Sequence, residues 1–210
     1  MKPAGRAAFD FPALTYFPDR LSGPISYLTL FPIGAVMRAN LFVYRDARDP
    51  WFDEFRRTPQ MMCFNAMPGL RAIVGDFEIA SAVKVRPIDL YETTGYRQAG
   101  VVLVGDAFSS SCPAAGTGTN KVFVDVERLC NVHVPRWLST AGMGVEKIGA
   151  FYDDPDKRAS DKQSMSKANW LRSVSMSHAA HWRARRVLRV MGGYARGMFG
   201  IAKERMLSRP

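Results

Sequence analysis

A carboxylate, a proline and several glycines lie close together within Gly100–Leu129, and their spacing suits the binding of a polar organic ligand. Asp106 follows a short apolar run, Val101–Val104, which predicts a buried strand that ends at Gly105. A carboxylate at the end of a strand can accept hydrogen bonds from ligand hydroxyls, and a glycine beside it lets a ligand approach the backbone.

A glycine-rich turn opens the helix that the sequence predicts over Lys121–Leu129. Gly116 and Gly118 leave room for a planar ring next to the chain. The first turn of a helix carries unpaired N–H donors and the positive end of the helix dipole, which suit an anionic or electron-rich oxygen. A polyol attached to a ring that becomes anionic on reduction would use all of these groups, and a reduced flavin on its ribityl chain fits that description.

The motif G-D-A-F-x4-P-x2-G-x-G-x-N-x4-D-x3-L resembles the second flavin-binding motif of the FAD-dependent aromatic hydroxylases, the p-hydroxybenzoate hydroxylase-like family. This chain has Phe108-Ser109 where the family usually has Ala-His. The resemblance implies that Asp106 binds the ribityl hydroxyls and that Pro113 lies beside the isoalloxazine ring. It implies these cofactor-binding residues: Gly105, Asp106, Pro113, Gly116, Thr117, Gly118, Thr119 and Asn120. The alternative interpretation is an ordinary glycine turn that starts a helix.

The resemblance also implies an activity. Enzymes of this family use NAD(P)H to reduce FAD and insert one oxygen atom of O₂ into an aromatic or similarly electron-rich substrate. Their FAD diphosphate is held by a strand followed by G-x-G-x-x-G, and residues 1–46 contain no such pattern. We therefore expect a fragment, the flavin-ring and substrate half of a monooxygenase, completed by a missing N-terminal half or a partner chain. No residue is nominated as catalytic. The alternative is a non-catalytic truncated remnant that binds a partner or a membrane surface.

The predicted fold class is α/β of the α+β fragment type. It combines a substrate-domain β-sheet, the C-terminal strand–loop–helix of an FAD-binding domain and a helical C-terminus. The predicted regions are a loop-rich lead-in (1–24), the substrate sheet with short helices (25–98), the FAD-binding part (99–154) and a basic helical region (155–210).

Hydrophobic periodicity predicts the individual elements. The strands are expected as a hairpin of Ile25–Phe31 and Ala35–Arg45, followed by Phe77–Leu90. The helices are expected over Asp49–Arg57, Met61–Leu70, Val145–Tyr152 and Asp156–Arg189, the last one capped by Asp153-Asp154-Pro155. On or beside these strands, Arg38, Tyr44 and Arg86 are candidates to face a substrate pocket, with ordinary solvation or packing as the alternative for each.

Composition indicates a globular chain, with 47% hydrophobic and 23% charged residues. The odd count of three cysteines argues against a disulfide framework and favours a reducing cytoplasm. His178 and His181 are three apart, but no other ligand residue lies near them in sequence, so no metal site is expected. Ser109-Ser110-Ser111 does not form the G-x-S-x-G elbow of a serine hydrolase.

Positive charge is concentrated at the end of the chain. The net charge is +10, and residues 183–209 contain eight Lys or Arg against one Glu, a net +7. Such a segment suits weak contact with an anionic membrane surface or non-specific contact with nucleic acid. No sequence-specific nucleic-acid binding is expected, and the preferred interpretation is a solvated basic tail that packs on a partner or on an absent domain.

Overall fold

The structure is a computed structural model that describes residues 1–20, 23–188 and 191–192 of the 210-residue chain. The chain divides into two compact units. The first unit consists of Met1–Val85 and the described residues from Arg172 onward, and the second is Arg86–Leu171. The basic tail expected up to Arg209 lies, beyond residue 192, outside the described residues.

The first unit is built from short strands and helices, at the coarse level an α+β arrangement. Its elements from the N-terminus are β1 (Lys2–Pro3), β2 (Leu14–Tyr16), β3 (Ile25–Ile33), β4 (Val36–Val43), α1 (Trp51–Arg57), α2 (Pro59–Ala66), α3 (Leu70–Val74) and β5 (Phe77–Glu78). The predicted hairpin is confirmed as β3 and β4, with Gly34 at a φ of +56° in the turn.

A three-stranded antiparallel sheet in the order β2-β3-β4 covers one side of the first unit's core. Leu28 and Leu30 of β3 are both buried, because residues two apart on a strand share a face. Leu28 pairs with Leu41 across the sheet. The helices add Phe55, Met62 and Leu70 to the same core, so apolar contact between sheet and helices holds this unit together.

Two predictions for the first unit need correction. The helix expected over Met61–Leu70 and ended by Pro68-Gly69 is present as α2, which begins two residues earlier at Pro59 and ends at Ala66. The sequence did not predict α3, the separate short helix that follows Pro68-Gly69. The strand expected over Phe77–Leu90 is wrong beyond Glu78. Only Phe77 and Glu78 pair with another strand, β1, and most of the residues after them are exposed, so that stretch has no ladder to join.

The second unit is mainly helical. It contains β6 (Tyr91–Glu92), β7 (Ser109–Ser110), α4 (Gly118–Arg128), α5 (Val134–Leu138), α6 (Val145–Tyr152) and the portion of α7 (Pro155–Met176) up to Leu171. A π-helical turn, Leu129–His133, joins α4 to α5. The prediction of α6 is confirmed at both ends, and α7 starts where the Asp-Pro cap predicts. The predicted continuation of this helix to Arg189 is wrong, because α7 ends at Met176 and residues 177–179 separate it from another helix over residues 180–188.

The run Val101–Val104 does not form the predicted strand. Only Val101 makes a bridge, to Gln98, and the following residues are extended without a ladder partner. Their side chains are half-buried against the second unit's core around Phe108 and Tyr152, and the Leu103 N–H donates to the Tyr152 hydroxyl at 2.8 Å. The predicted buried strand is therefore wrong: Val101 is exposed, and the half-buried remainder of the run packs on helix α6 rather than within a sheet.

The three cysteines are free and differ in exposure, which predicts their reactivity. Burial raises the pKa of the Cys63 thiol to about 12, whereas Cys130 is exposed on the π-helical turn. Because the thiolate is the reactive form, we expect Ellman's reagent to label Cys130 rapidly in the native protein and Cys63 only after unfolding. Rapid native labelling of a Cys130→Ser variant at Cys63 would contradict this.

Candidate functional site

The Gly105–Ala107 segment, here called the GD turn, is a single 3-10 helical turn docked on helix α4. The Gly105 N–H donates to Asp125 Oδ2 at 2.7 Å, and Lys121 Nζ donates to the Gly105 carbonyl at 2.8 Å. Both polar backbone groups of Gly105 are therefore bound by side chains of α4, twenty and sixteen residues further along the chain.

Four side chains, here called the charge cluster, surround this contact: the buried Lys121, Asp125 and Lys157 and the partly buried Asp161. Lys157 Nζ lies 3.2 Å from Asp125 Oδ1 and 2.9 Å from Asp161 Oδ2. Lys121 Nζ lies 3.1 Å from Asp161 Oδ1 and 3.5 Å from Asp125 Oδ2. Two positive and two negative charges thus alternate in a water-poor interior, which compensates the desolvation of each.

The aromatic core covers one side of the charge cluster. Lys157 Nζ lies 4.0 Å from the centroid of the Phe108 ring and 5.1 Å from that of Phe151. An ammonium group over a ring face is attracted by the ring quadrupole. Phe108, one of the two residues that depart from the usual form of the motif, therefore packs against the charge cluster.

Gly105 is required by the fold itself. Its φ is +57°, a backbone conformation that residues other than glycine rarely adopt. A Cβ added at this position would lie 2.7 Å from Val122 Cγ2. The residue is buried with both backbone groups already bound. These contacts give Gly105 a structural role in fixing the turn; direct contact with a cofactor stays a prediction.

Residues from β6 and the loop after it hold the outer side of the GD turn. The Tyr91 hydroxyl donates to the Asp106 carbonyl at 2.7 Å, and the Thr93 hydroxyl donates to the Ala107 carbonyl at 2.9 Å. The Asp106 carboxylate itself is exposed and makes no hydrogen bond to another described residue. The turn thus presents a fixed backbone and an open carboxylate.

The start of α4 lacks a side-chain cap. Thr117 occupies the N-cap position, but its hydroxyl lies 2.6 Å from Ser164 Oγ, which in turn donates to Ser111 Oγ at 2.7 Å. The helical ladder begins when the Lys121 N–H donates to the Thr117 carbonyl at 3.0 Å. The N–H groups of Gly118, Thr119 and Asn120 precede that bond and therefore have no acceptor within the helix, as at any uncapped helix start.

Open space surrounds the two glycines at this helix start. A Cβ added to Gly116 or Gly118 would meet no other described atom within 4 Å. Gly116 has a φ of +65°, and this backbone conformation explains why the position is a glycine. The backbone of Gly118 has no positive φ, so its conformation does not require a glycine. Together with exposed Pro113 and Asp106, these residues are compatible with a ring and a polyol lying over the start of α4.

The three substrate candidates are divided between the units. Arg38 lies exposed on β4, and Tyr44 follows the end of the same strand in the first unit. Arg86 is the exposed first residue of the second unit. The substrate role of all three stays a prediction.

A second polar cluster in the second unit surrounds Asp154. Its carboxylate accepts hydrogen bonds from Arg128 Nη2 at 2.9 Å and lies 3.0 Å from His133 Nε2. It also caps α7, because its Oδ1 accepts from the N–H groups of Asp156 and Lys157. Burial would raise the pKa of Asp154, but hydrogen bonds from Arg128, His133 and the Lys157 N–H outweigh it and hold the pKa at about 2.

The depressed pKa of Asp154 predicts how stability responds to acid. A group whose pKa falls on folding stabilises the protein above its unfolded pKa, 3.8 here, and loses that effect as the pH falls toward 2. We expect Asp154→Asn, which keeps a capping oxygen, to lower the free energy of unfolding by about 2 kcal/mol at neutral pH. Urea unfolding measured between pH 6 and 2 should show the difference shrinking below about pH 4. Asp156→Asn, an exposed partner of Arg128, is the control; a pH-independent difference for Asp154→Asn would contradict the prediction.

Sequence reasoning missed the charge cluster, although a signal for it exists. Lys121 and Asp125 are four residues apart, and so are Lys157 and Asp161. The spacing K-x3-D on two predicted helices indicates two ion pairs. Sequence periodicity alone does not predict that the two ion pairs contact each other in the interior, because that contact depends on how the two helices pack.

No family model matches the chain, and no curated protein or solved structure matches it either.

Proposed function

We propose that the second unit binds the ring and ribityl chain of FAD and that the protein is an FAD-binding oxidoreductase. The activity that this proposal favours is the flavin-ring and substrate half of an NAD(P)H-dependent monooxygenase. The observation that carries it is the docking of the GD turn on α4, which leaves an open carboxylate at Asp106 and unpaired donors at the helix start.

Each group has a chemical task in this proposal. The Asp106 carboxylate accepts hydrogen bonds from ribityl hydroxyls, and a charged acceptor makes these bonds stronger than neutral ones. The N–H groups of Gly118, Thr119 and Asn120 face the electron-rich edge of the ring and, with the helix dipole, favour negative charge there. Pro113 and Gly116 border the ring. A bound flavin supplies the hydride acceptance and oxygen activation that these side chains lack.

The remaining parts of the proposal concern the surroundings of the flavin. Arg38, Tyr44 and Arg86 are the proposed contacts of an aromatic or similarly electron-rich substrate. NAD(P)H is the proposed reductant, and an N-terminal half or partner chain would hold the FAD diphosphate. The three free cysteines support a cytoplasmic setting as part of this proposal. Among the described residues, no helix is long and apolar enough to cross a membrane.

Flavin titration tests the proposal directly. Adding the purified chain to FAD, and separately to riboflavin, should quench flavin fluorescence at a one-to-one ratio. Because the proposed contacts are to the ring and ribityl chain, riboflavin should bind about as tightly as FAD. Unquenched fluorescence for both ligands at protein concentrations up to about 1 mM, which corresponds to a binding free energy weaker than about 4 kcal/mol, would overturn the proposal.

Gly118 offers a variant that separates ligand binding from folding. Its helical position and open surroundings mean that Gly118→Ala should leave the free energy of unfolding unchanged or raise it by up to about 1 kcal/mol. The added methyl group occupies the space proposed for the ring, so flavin affinity should fall. Gly116→Ala is the comparison: at a φ of +65° it should cost about 1–2 kcal/mol of stability. Unaltered flavin affinity of Gly118→Ala would argue against a ring at this place.

A further inference from the structure

The helix formed by residues 180–188, here called the 180–188 helix, exposes an apolar stripe in the first unit. Residues 191–192 are helical as well. The stripe consists of Ala180, Ala184, Val187 and Leu188, whose offsets of 0, 4, 7 and 8 place them on one face of this helix, together with the exposed Met191. Leu188 and Met191 are 67% and 62% exposed, so this face is turned to solvent.

The opposite face of the 180–188 helix is fixed to the protein. Arg186 is buried, and its Nη1 donates to the Val174 carbonyl at 2.9 Å and the Ser177 carbonyl at 2.7 Å. Trp182 is half-buried, and the Arg185 guanidinium lies 4.9 Å from the centroid of its ring. The stripe is therefore held in an outward orientation by contacts on the other side.

Cations border the stripe. Arg183 and Arg185 are exposed and lie on either side of it, since they precede the pair Val187 and Leu188 by two to five positions. The chain between residues 183 and 209 carries a net charge of +7. An apolar face bordered by arginines is the arrangement of helices that lie in the plane of a membrane interface.

We propose that this face binds the surface of anionic phospholipid membranes, with Val187, Leu188 and Met191 entering the headgroup–acyl boundary. Arg183 and Arg185 would pair with lipid phosphates, and the surrounding positive charge would draw the protein to the surface. Nucleic acid is a poorer match. Its phosphates would pair with the arginines but leave the apolar stripe in water. The inference is independent of flavin binding.

Vesicle sedimentation of the full chain tests the proposal. The probes are vesicles of phosphatidylcholine alone and vesicles that contain about one-third phosphatidylglycerol. Phosphatidylglycerol is an anionic lipid, and its negative charge attracts basic segments. We expect at least tenfold stronger binding to the anionic vesicles at low salt, and weaker binding as salt increases. Equal binding to both vesicle types, or no binding to either, would overturn the proposal.

A pair of variants separates the stripe from charge alone. Val187→Ser with Leu188→Ser should weaken binding to anionic vesicles at least tenfold, because the apolar contacts are lost while all arginines remain. Phe123→Ser, which alters a 68% exposed residue in the second unit, should leave binding unchanged. Circular dichroism confirms that both variants are folded. Undiminished vesicle binding by the double variant would overturn the role of the apolar stripe. Displacement of the protein from vesicles by duplex DNA, together with an equal affinity of both variants for DNA, would assign the surface to nucleic acid instead.

Discussion

Replacing Asp125 with Asn is expected to lower the free energy of unfolding by about 3–5 kcal/mol, the largest stability effect predicted for this chain. The carboxylate is fully buried and pairs with both Lys121 and Lys157, so the neutral amide leaves two buried ammonium groups with Asp161 alone. The substitution also weakens the acceptor of the Gly105 N–H, which fixes the GD turn. Urea unfolding followed by circular dichroism measures the change.

A nearby carboxylate provides the control for Asp125. Glu127 lies two positions further along α4 and is exposed, so Glu127→Gln should change stability by less than about 0.5 kcal/mol. A double variant, Asp125→Asn with Lys157→Met, restores the charge balance. It should be less destabilised than the sum of the two single variants by about 1 kcal/mol or more. An Asp125→Asn protein as stable as the wild type would contradict a structural role of the charge cluster.

The second large effect concerns ligand binding. Replacing Asp106 with Ala is expected to weaken flavin binding about 10- to 100-fold, since hydrogen bonds to a charged group contribute about 1.5–3 kcal/mol. The fold should be unaffected, because the carboxylate is exposed and the turn is held through backbone groups. Fluorescence titration with riboflavin measures the affinity, and urea unfolding measures the stability.

Glu92→Gln is the matched control for Asp106→Ala. Glu92 is an exposed carboxylate on β6, the strand that pairs with β7 beside the GD turn. Its substitution removes the same negative charge from the same unit without touching Asp106. Equal loss of flavin affinity in both variants would mean that overall charge, rather than a specific contact of Asp106, controls binding.

The sequence predicts the elements whose stabilising contacts are local. Helix α6 is confirmed from Val145 to Tyr152, and α7 begins behind the Asp154 cap, because capping and helical periodicity depend on residues only a few positions apart. The hairpin of β3 and β4 is confirmed for the same reason, with a glycine turn joining two alternating runs.

The sequence does not predict features that depend on distant partners. Val101–Val104 has the composition of a buried strand, but a strand also needs a neighbour for its backbone groups, and this run packs against α6 instead. The predicted strand Phe77–Leu90 fails beyond Glu78 for the same reason. The charge cluster joins Gly105 to residues up to 56 positions away, and the packing of α7 against α4 that creates it cannot be seen in either segment alone.

The motif that resembles a flavin-binding pattern is partly local and partly dependent on distant partners. Its spacing could be read from the sequence, and the docking of the GD turn explains part of that spacing in physical terms. Asp125 stands at the motif's second aspartate position and binds the Gly105 N–H, one helical turn beyond Lys121, which binds the Gly105 carbonyl. No contact within the described chain accounts for Gly118 or for the Asp106 carboxylate, both part of the motif, so the start of α4 and the GD turn are the most informative places to observe a ligand.

Amide NMR of the ¹⁵N-labelled chain during titration with riboflavin tests the central claim most directly. The account predicts that the resonances of Gly116, Gly118, Thr119 and Asn120 shift progressively and saturate together with that of Asp106. The buried Gly105 amide, bound to Asp125, should remain protected from solvent exchange throughout. Saturable shifts confined to residues elsewhere, or no shifts at all at millimolar ligand, would contradict a flavin site at the GD turn and the start of α4.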